Sequence, residues 1–228
     1  MKRSEINARM KAAAEFFDGM NFLLPPWAAW SPQRWKEELK RDGASLSEIR
    51  ENLLGWDLTD FGSGDFTKRG LLLFTIRNGN LKTGHLKTYA EKIMVVEDGQ
   101  ETPCHFHWNK MEDIINRGGG KLVLHCWPSG KDGAREETPL RIAFDGVLKT
   151  VRAGDRIVVS PGESITLEPG VYHRFYGEGR VLVGEVSRVN DDSSDNRFFE
   201  TVGRFPEIEE DAPPLYPLAM DLAGMGAG

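Results

Sequence analysis

The sequence predicts a mainly β protein, a closed or double-sheet β structure preceded by helices. Three observations carry this. From Leu71 onward, short runs rich in β-branched and aromatic residues recur at near-regular spacing, punctuated by Gly or Pro. Ahead of Leu71, apolar residues recur at helical spacing instead. The chain has 228 residues, 39% hydrophobic and 28% charged, which is enough to bury a core without disulfide staples.

The first helix takes its apolar stripe from Ile6, Met10, Ala13, Ala14 and Phe17, with Ser4 as cap and Gly19 as stop. Pro25-Pro26 breaks the pattern. Ser31-Pro32 reads as the cap and first residue of a second helix running to about Asp42. Ser45 and Glu48 have capping-box spacing for a third, which Gly55 should end. Residues 59–70 hold three glycines and read as a loop. Residues 1–70 are therefore expected to form a helical extension packed on a barrel, and 71–228 the barrel with a C-terminal segment. The helices would cover a sheet face or edge, or build a subunit contact. PPWAAW (25–30) would line an interface or the barrel mouth.

Strands are expected over Leu71–Arg77, 92–97, 104–108, 121–127, Leu140–Phe144, Val147–Val151, 156–160, Ser164–Leu167, 171–176 and 181–189. Turn signals such as Asn78-Gly79, Asp145-Gly146, Pro161-Gly162 and Pro169-Gly170 separate most of them. Residues 191–196 read as a polar loop, and the tail from Ala223 as frayed.

Charge and cysteine usage exclude several function classes. A formal net charge of −6 opposes a broad basic surface for nucleic acid. No apolar run approaches the ~20 residues that span a bilayer, and the charged start MKRSEINARMK lacks a signal-peptide core. Cys104 and Cys126 form no CxxC pair. These features lead to the expectation of a soluble cytoplasmic protein that binds neither nucleic acid nor membrane.

Of five histidines, three fall into one pattern. His105 and His107 are two apart on an expected strand, so both rings point to one face, roughly 7 Å apart at the Cα atoms. Glu112 follows after a short turn and can add an oxygen donor. His173 stands beside Pro169-Gly170, where a neighbouring strand could return to the same face. Three imidazoles and a carboxylate, without thiolate, suit Mn²⁺, Fe²⁺, Co²⁺, Ni²⁺ or Zn²⁺. Open positions on the ion could take water or two adjacent substrate oxygens. An HxH pair alone is often just two packed histidines, and His85 and His125 are read that way. Cys104 lies on the face opposite His105 and reads as a packed thiol.

The flanking residues sharpen this. Gly99, His105, His107, Glu112 and Gly119 reproduce the spacing of the first motif of the cupin superfamily. Pro169-Gly170-x-x-His173 resembles the second, except that Pro directly precedes Gly and Gly177 replaces the usual Asn. The resemblance implies a cupin-type double-stranded β-helix, or jelly-roll, barrel with N-terminal helices. Such barrels host dioxygenases, isomerases and binders, so fold alone names no reaction.

Longer strings are more specific. LPPWAAWSP (24–32), GWDLTDFGSGDF (55–66), YAEKIMVVEDGQETPCHFHWNKMEDIINRGGG (89–120) and GVYHRFYGEG (170–179) resemble the bacterial D-lyxose isomerase family, and the likeness runs from MKRSEIN to RFPEIEEDAPP. It implies a manganese-preferring, homodimeric aldose–ketose isomerase acting on D-lyxose and D-xylulose, and on D-mannose and D-fructose. It implies that His105, His107, Glu112 and His173 hold the metal, and that Lys92, Lys110 and Glu207 belong to the substrate site. A register shift would move the last onto Glu209 or Glu210.

Isomerisation through a cis-enediol needs a base, an acid and an electrophile for the developing oxyanion. Glu207 is the expected base, and Lys110 or Lys92 the expected donor. Trp108 and Phe175 are expected walls for the sugar. Without the resemblance, Lys92 reads as an outward strand residue and Glu207 as part of a solvated acidic run. A metal-assisted hydride shift is the competing route. Competing functions are an Fe²⁺-dependent cupin dioxygenase and a non-catalytic sugar-binding cupin.

Overall fold

The computed structural model describes residues 1–81, 86–189, 194–203 and 207–225. His85, part of the 191–196 loop and the last residues of the tail lie outside them.

The N-terminal helices form largely where expected. In α1 (Arg3–Gly19), Ile6, Met10, Ala13 and Phe17 are buried on one stripe. Lys2, not Ser4, is its cap. Ser4 sits in the first turn, and its hydroxyl and N–H both donate to the Asp211 carboxylate, at 2.7 and 2.9 Å, tying down the C-terminal segment. A 3-10 turn (Pro26–Ala29) leads to α2 (Pro32–Asp42), where Ser31 Oγ accepts from the Arg34 N–H at 3.2 Å. The third helix, α3 (Ser47–Glu51), starts late. Ser45 donates its hydroxyl to the Asp42 carbonyl at 3.0 Å and so closes α2 instead of capping α3.

Gly55 ends no helix. It opens β1 (Gly55–Thr59), which pairs antiparallel with β2 (Leu71–Arg77). The sheet therefore begins upstream of Leu71. Asp57 interrupts the apolar pattern of β1, which hid the strand from a periodicity reading. The remaining strands are β3 (Tyr89–Val96), β4 (Glu101–His107), β5 (Glu112–Pro128), β6 (Leu140–Phe144), β7 (Val147–Val151), β8 (Ile157–Val159), β9 (Ser164–Leu167), β10 (Val171–Arg188) and β11 (Asn196–Phe198). Asn196, expected in a loop, thus begins a strand. Ala223 lies in the short helix α4 (Ala219–Gly224).

All the strand pairings are antiparallel. The sheet runs β1-β2-β3-β10-β5-β9-β6-β7, with β4 joined to β10, β11 joined to β4 and β8 joined to β5. β5 and β10 are single long strands where shorter pieces were expected. They cross their glycines at bulges. Gly119 has φ +87°, and a Cβ there would approach the Arg180 carbonyl oxygen to 2.3 Å. Only glycine fits that crossing, and the register between β5 and β10 shifts beside it. Along one edge, β10 pairs first with β4 and then with β3, while its other edge follows β5 throughout. This mostly β, antiparallel architecture is that of the cupin-type barrel.

Alternation divides two cores. Leu73, Met94, Val96, Val181 and Val183 point into the barrel with Ile114, Leu122, Leu124 and Phe175. Leu72, Phe74, Ile93, Val95 and Leu182 point outward and are covered by Ile6, Met10, Ala13 and Phe17 of α1. Both faces of β2 are thus buried, which explains its unbroken LLLF run. The PPWAAW stretch packs on this outer face. Trp27 lies 5.0 Å from the Phe74 ring, and Trp56 Nε1 donates to the Ala28 carbonyl at 2.9 Å. Among the described residues, no helix is long and apolar enough to cross a membrane.

Candidate metal and sugar site

The HxH strand and the distant His173 meet through the backbone. β4 and β10 pair with His105 directly opposite His173. Ahead of β10, Gly170 has φ +82° and donates its N–H to the His107 carbonyl at 2.9 Å. The departure from the second cupin motif therefore leaves the turn intact. The donor nitrogens of His105, His107 and His173 lie within 4.8 Å of one another, all buried. Glu112, the first residue of β5, brings Oε1 to 3.3 Å from His107 Nε2 and 3.2 Å from His173 Nε2.

These groups fit a divalent metal ion. His105 Nδ1 stands 2.8 Å from the Pro103 carbonyl, and His173 Nδ1 stands 3.0 Å from the Val171 carbonyl. A carbonyl only accepts, so each Nδ1 carries the proton and each Nε2 keeps its lone pair for an ion. Both ring nitrogens of His107 and Oε1 of Glu112 are buried without a hydrogen-bond partner among the described residues. Each such orphan costs about 1–3 kcal/mol, a cost that a bound cation removes. Burial, with the neighbouring imidazoles, holds His105 well below the ordinary histidine range. Burial takes His173 down to about 4 despite the nearby Glu112 carboxylate. Both are neutral donors near neutral pH.

Beside the donors lies a buried network of charges. Lys110 Nζ is 2.6 Å from Glu112 Oε2 and 3.0 Å from Glu185 Oε1. Lys92 Nζ approaches the same Glu185 oxygen at 3.3 Å, and the Ser187 hydroxyl donates to it at 2.9 Å. Burial pushes both glutamates up, but the lysines outweigh it, Lys110 first. Glu112 ends well below the usual carboxylate range, with His107 helping, and Glu185 ends below it too.

One cavity gathers these groups. Its lining includes His105, His107, Glu112, His173, Lys92, Lys110 and Glu185, with Phe175, Thr102, Asp57, Phe61 and Phe198. Phe175, expected as a wall, lines it. Trp108 does not. Adjacent strand residues face opposite ways, so Trp108 turns away from His107 and packs on Phe106, ring centroids 4.6 Å apart, with 45% of its surface exposed. Glu207 is also outside the cavity. It is exposed at the N-terminal end of α1, and its carbonyl accepts from the Met1 amine at 2.8 Å. Glu209 forms a backbone bridge with Lys2, Glu210 pairs with Arg3 at 2.7 Å, and neither lines the cavity.

Glu185 and Thr102 are the additions. Glu185 continues the inward series of Val181 and Val183, so strand parity alone could have flagged a carboxylate there. Of the remaining histidines, His125 is structural. Its Nδ1 meets the Gly154 carbonyl at 2.9 Å, and its ring lies between Trp127 and Tyr176. Cys104 faces outward from the site, and burial raises its thiol to about 11.

A family model described as D-lyxose isomerase matches residues 1–222. A protein of Escherichia coli O157:H7 named D-lyxose/D-mannose isomerase is 46% identical over 217 residues, covering 93% of this chain and 94% of that protein. One of the same name from Serratia proteamaculans is 46% identical over 222 residues, 96% of each chain. A third, from Thermosediminibacter oceani, is 30% identical over 181 residues, 76% of this chain and 92% of that one.

Proposed function

The chain belongs to the D-lyxose isomerase family, and on that premise we propose that it is an aldose–ketose isomerase interconverting D-lyxose with D-xylulose and D-mannose with D-fructose. We propose a divalent cofactor held by His105, His107, Glu112 and His173, with Mn²⁺ the ion the family resemblance implies. The same premise supports a cytoplasmic homodimer. The observation that carries the reading is the shared cavity, in which the clustered His105, His107 and His173 nitrogens and the Glu112 carboxylate adjoin the Lys92–Glu185–Lys110 network.

When bound, the ion held by His105, His107, Glu112 and His173 would supply a Lewis acid for the negative charge that develops on the sugar. The rest of the chemistry belongs to the chain. Glu185 is ionised and buried, and it replaces Glu207 as the base. It takes the C2 proton of the aldose, and the C2–H electron pair becomes the C1–C2 double bond of a cis-enediol. Lys110 or Lys92 donates a hydrogen bond to the oxygen where negative charge develops. As the C2 carbonyl forms, the O2 hydroxyl proton passes to O1 by way of that lysine and a proton is delivered from Glu185 to C1, so the atoms balance with no outside reagent. Paired ammonium groups suit a polyol oxyanion, which favours this reading over an oxygen-activating or purely binding cupin.

The test is a sugar panel assayed with metal-stripped protein and then with each divalent ion restored. Ketose should appear from D-lyxose and D-mannose only with metal, without oxygen uptake. No turnover of either aldose with any ion would refute the assignment. In D₂O the enediol route places solvent deuterium at C1 of the ketose, and a product free of deuterium at high conversion would point to a hydride shift instead.

A further inference from the structure

We infer that the Thr102 hydroxyl is a substrate-binding group that holds one hydroxyl of the sugar. The inference rests on the isomerase reading and adds a specificity-determining residue to it.

Thr102 is only 3% exposed, and its Oγ1 has no hydrogen-bond partner among the described residues. It nevertheless lines the cavity that contains His105, His107 and His173. Simple alternation along β4 would not put it there, because Thr102 and His105 are three residues apart and should face opposite ways. The strand breaks alternation with a bulge. His105 pairs with His173 and Thr102 pairs with Phe175, so β4 spends one residue more than β10 between the two pairs. Bulges re-aim side chains in this way. Pro103 sits in the bulge. It has no N–H to lose there, and its carbonyl orients the His105 ring at 2.8 Å. One local distortion thus fixes a metal donor and turns Thr102 inward.

Packing does not explain a hydroxyl at this place. Valine has nearly the same shape and an equal liking for strands. A buried hydroxyl without a partner is a net cost to the free protein. The cost is recovered if a ligand brings a donor or acceptor, and the ligand of this cavity is a polyol. A site that bonds a substrate hydroxyl also rejects analogues that lack it, because its own polar group is then left unpaired.

The experiment compares wild type, Thr102→Val and Thr102→Ser, all loaded with Mn²⁺. Binding of D-arabinitol, the reduced form of D-lyxose, is measured by calorimetry, with melting temperature and Mn²⁺ affinity taken in parallel. Thr102→Val should bind the pentitol about tenfold more weakly, the size of one neutral hydrogen bond. Its Mn²⁺ affinity should be unchanged and its melting temperature equal or higher. Thr102→Ser should recover most of the affinity. Wild-type affinity in Thr102→Val overturns the inference. So does a loss of affinity that Thr102→Ser fails to rescue and that accompanies a lower melting temperature, which marks a packing role. Absence of pentitol binding to the wild type also overturns it. Failure of the isomerase reading is seen separately, as absence of ketose from any aldose with wild type, and the pentitol measurement decides Thr102 in that case as well.

Discussion

Lys110 Nζ stands 2.6 Å from Glu112 Oε2, so a cation of the chain leans on the one carboxylate of the proposed metal-donor set. Lys110 also reaches Glu185. Replacing Lys110 with Met leaves two buried carboxylates short of positive charge. Breaking a buried pair from one side costs about 3–5 kcal/mol. The metal-free Lys110→Met protein should lose stability on that scale in urea melts. A bound divalent ion offsets part of the deficit, so Mn²⁺ should raise its melting temperature more than it raises that of the wild type. Ketose formation should still fall, by about 10²–10⁴ if Lys110 is the proton-donating partner.

Glu185 and Glu207 make opposite predictions. Glu185 is buried between Lys92 and Lys110 on the cavity wall, while Glu207 is exposed beside the N-terminus. Glu185→Gln should lower kcat by about 10²–10⁴, the usual contribution of a general base, with Mn²⁺ content unchanged by elemental analysis. Glu207→Gln should retain wild-type kcat and KM within error. The reverse pattern would return the base to the C-terminal segment.

Much of this site was legible before any coordinates. The spacing of His105 and His107 carries part of the proposed donor set, because strand periodicity converts sequence spacing into a shared face. Lys92 and Lys110 were legible only through the family strings, whereas Phe175 follows from its strand parity with His173. Thr102 was hidden because a bulge breaks the periodicity on which such a reading depends. Phe61 was hidden for a similar reason. It lines the cavity from a loop, at φ +54°, a backbone region that bulky residues rarely adopt and no pattern rule anticipates. One aspartate, Asp57, breaks the short apolar run of β1, so that strand carries no periodic signal. Trp108 follows His107 directly in the chain, but strand alternation turns it away from the cavity. Glu207 lies near masses of acidic residues whose function is to hold α1, through Arg3 and Ser4, rather than to face the cavity.

Chelation should destabilise the protein, with stability following the logarithm of the free metal concentration. A ligand that binds only the folded state adds about 2.7 kcal/mol at a hundredfold excess over its Kd. Melting temperature should therefore fall on adding EDTA and climb again as Mn²⁺ is titrated back. His107→Ala should abolish that dependence, since His107 offers buried nitrogens with no other partner among the described residues. Metal-independent melting of the wild type would count against a resident ion.

The metal-free protein should also lose stability as pH falls, and the sign follows from the donors. His173 has an ordinary value of 6.5 and is held by burial at about 4 in the folded state. Between those limits the unfolded chain binds the extra proton, so stability rises with pH. Its contribution is fully present above pH 6.5 and is lost as pH drops toward 4, an upper bound of about 3 kcal/mol at 1.36 kcal/mol per pH unit. His105 is lowered by the same burial and acts in the same direction. Glu112 adds a second loss at lower pH. Its folded value lies well below 4.5, so its contribution is present above pH 4.5 and disappears as pH falls further. Urea melts of stripped protein between pH 4 and 8 should show this decline. Because the donors must be unprotonated to hold an ion, the Mn²⁺-dependent increment should shrink over the same window. A stability that stays flat from pH 8 to 4 would mean that the imidazoles are hydrated and not buried as the three-histidine cluster requires.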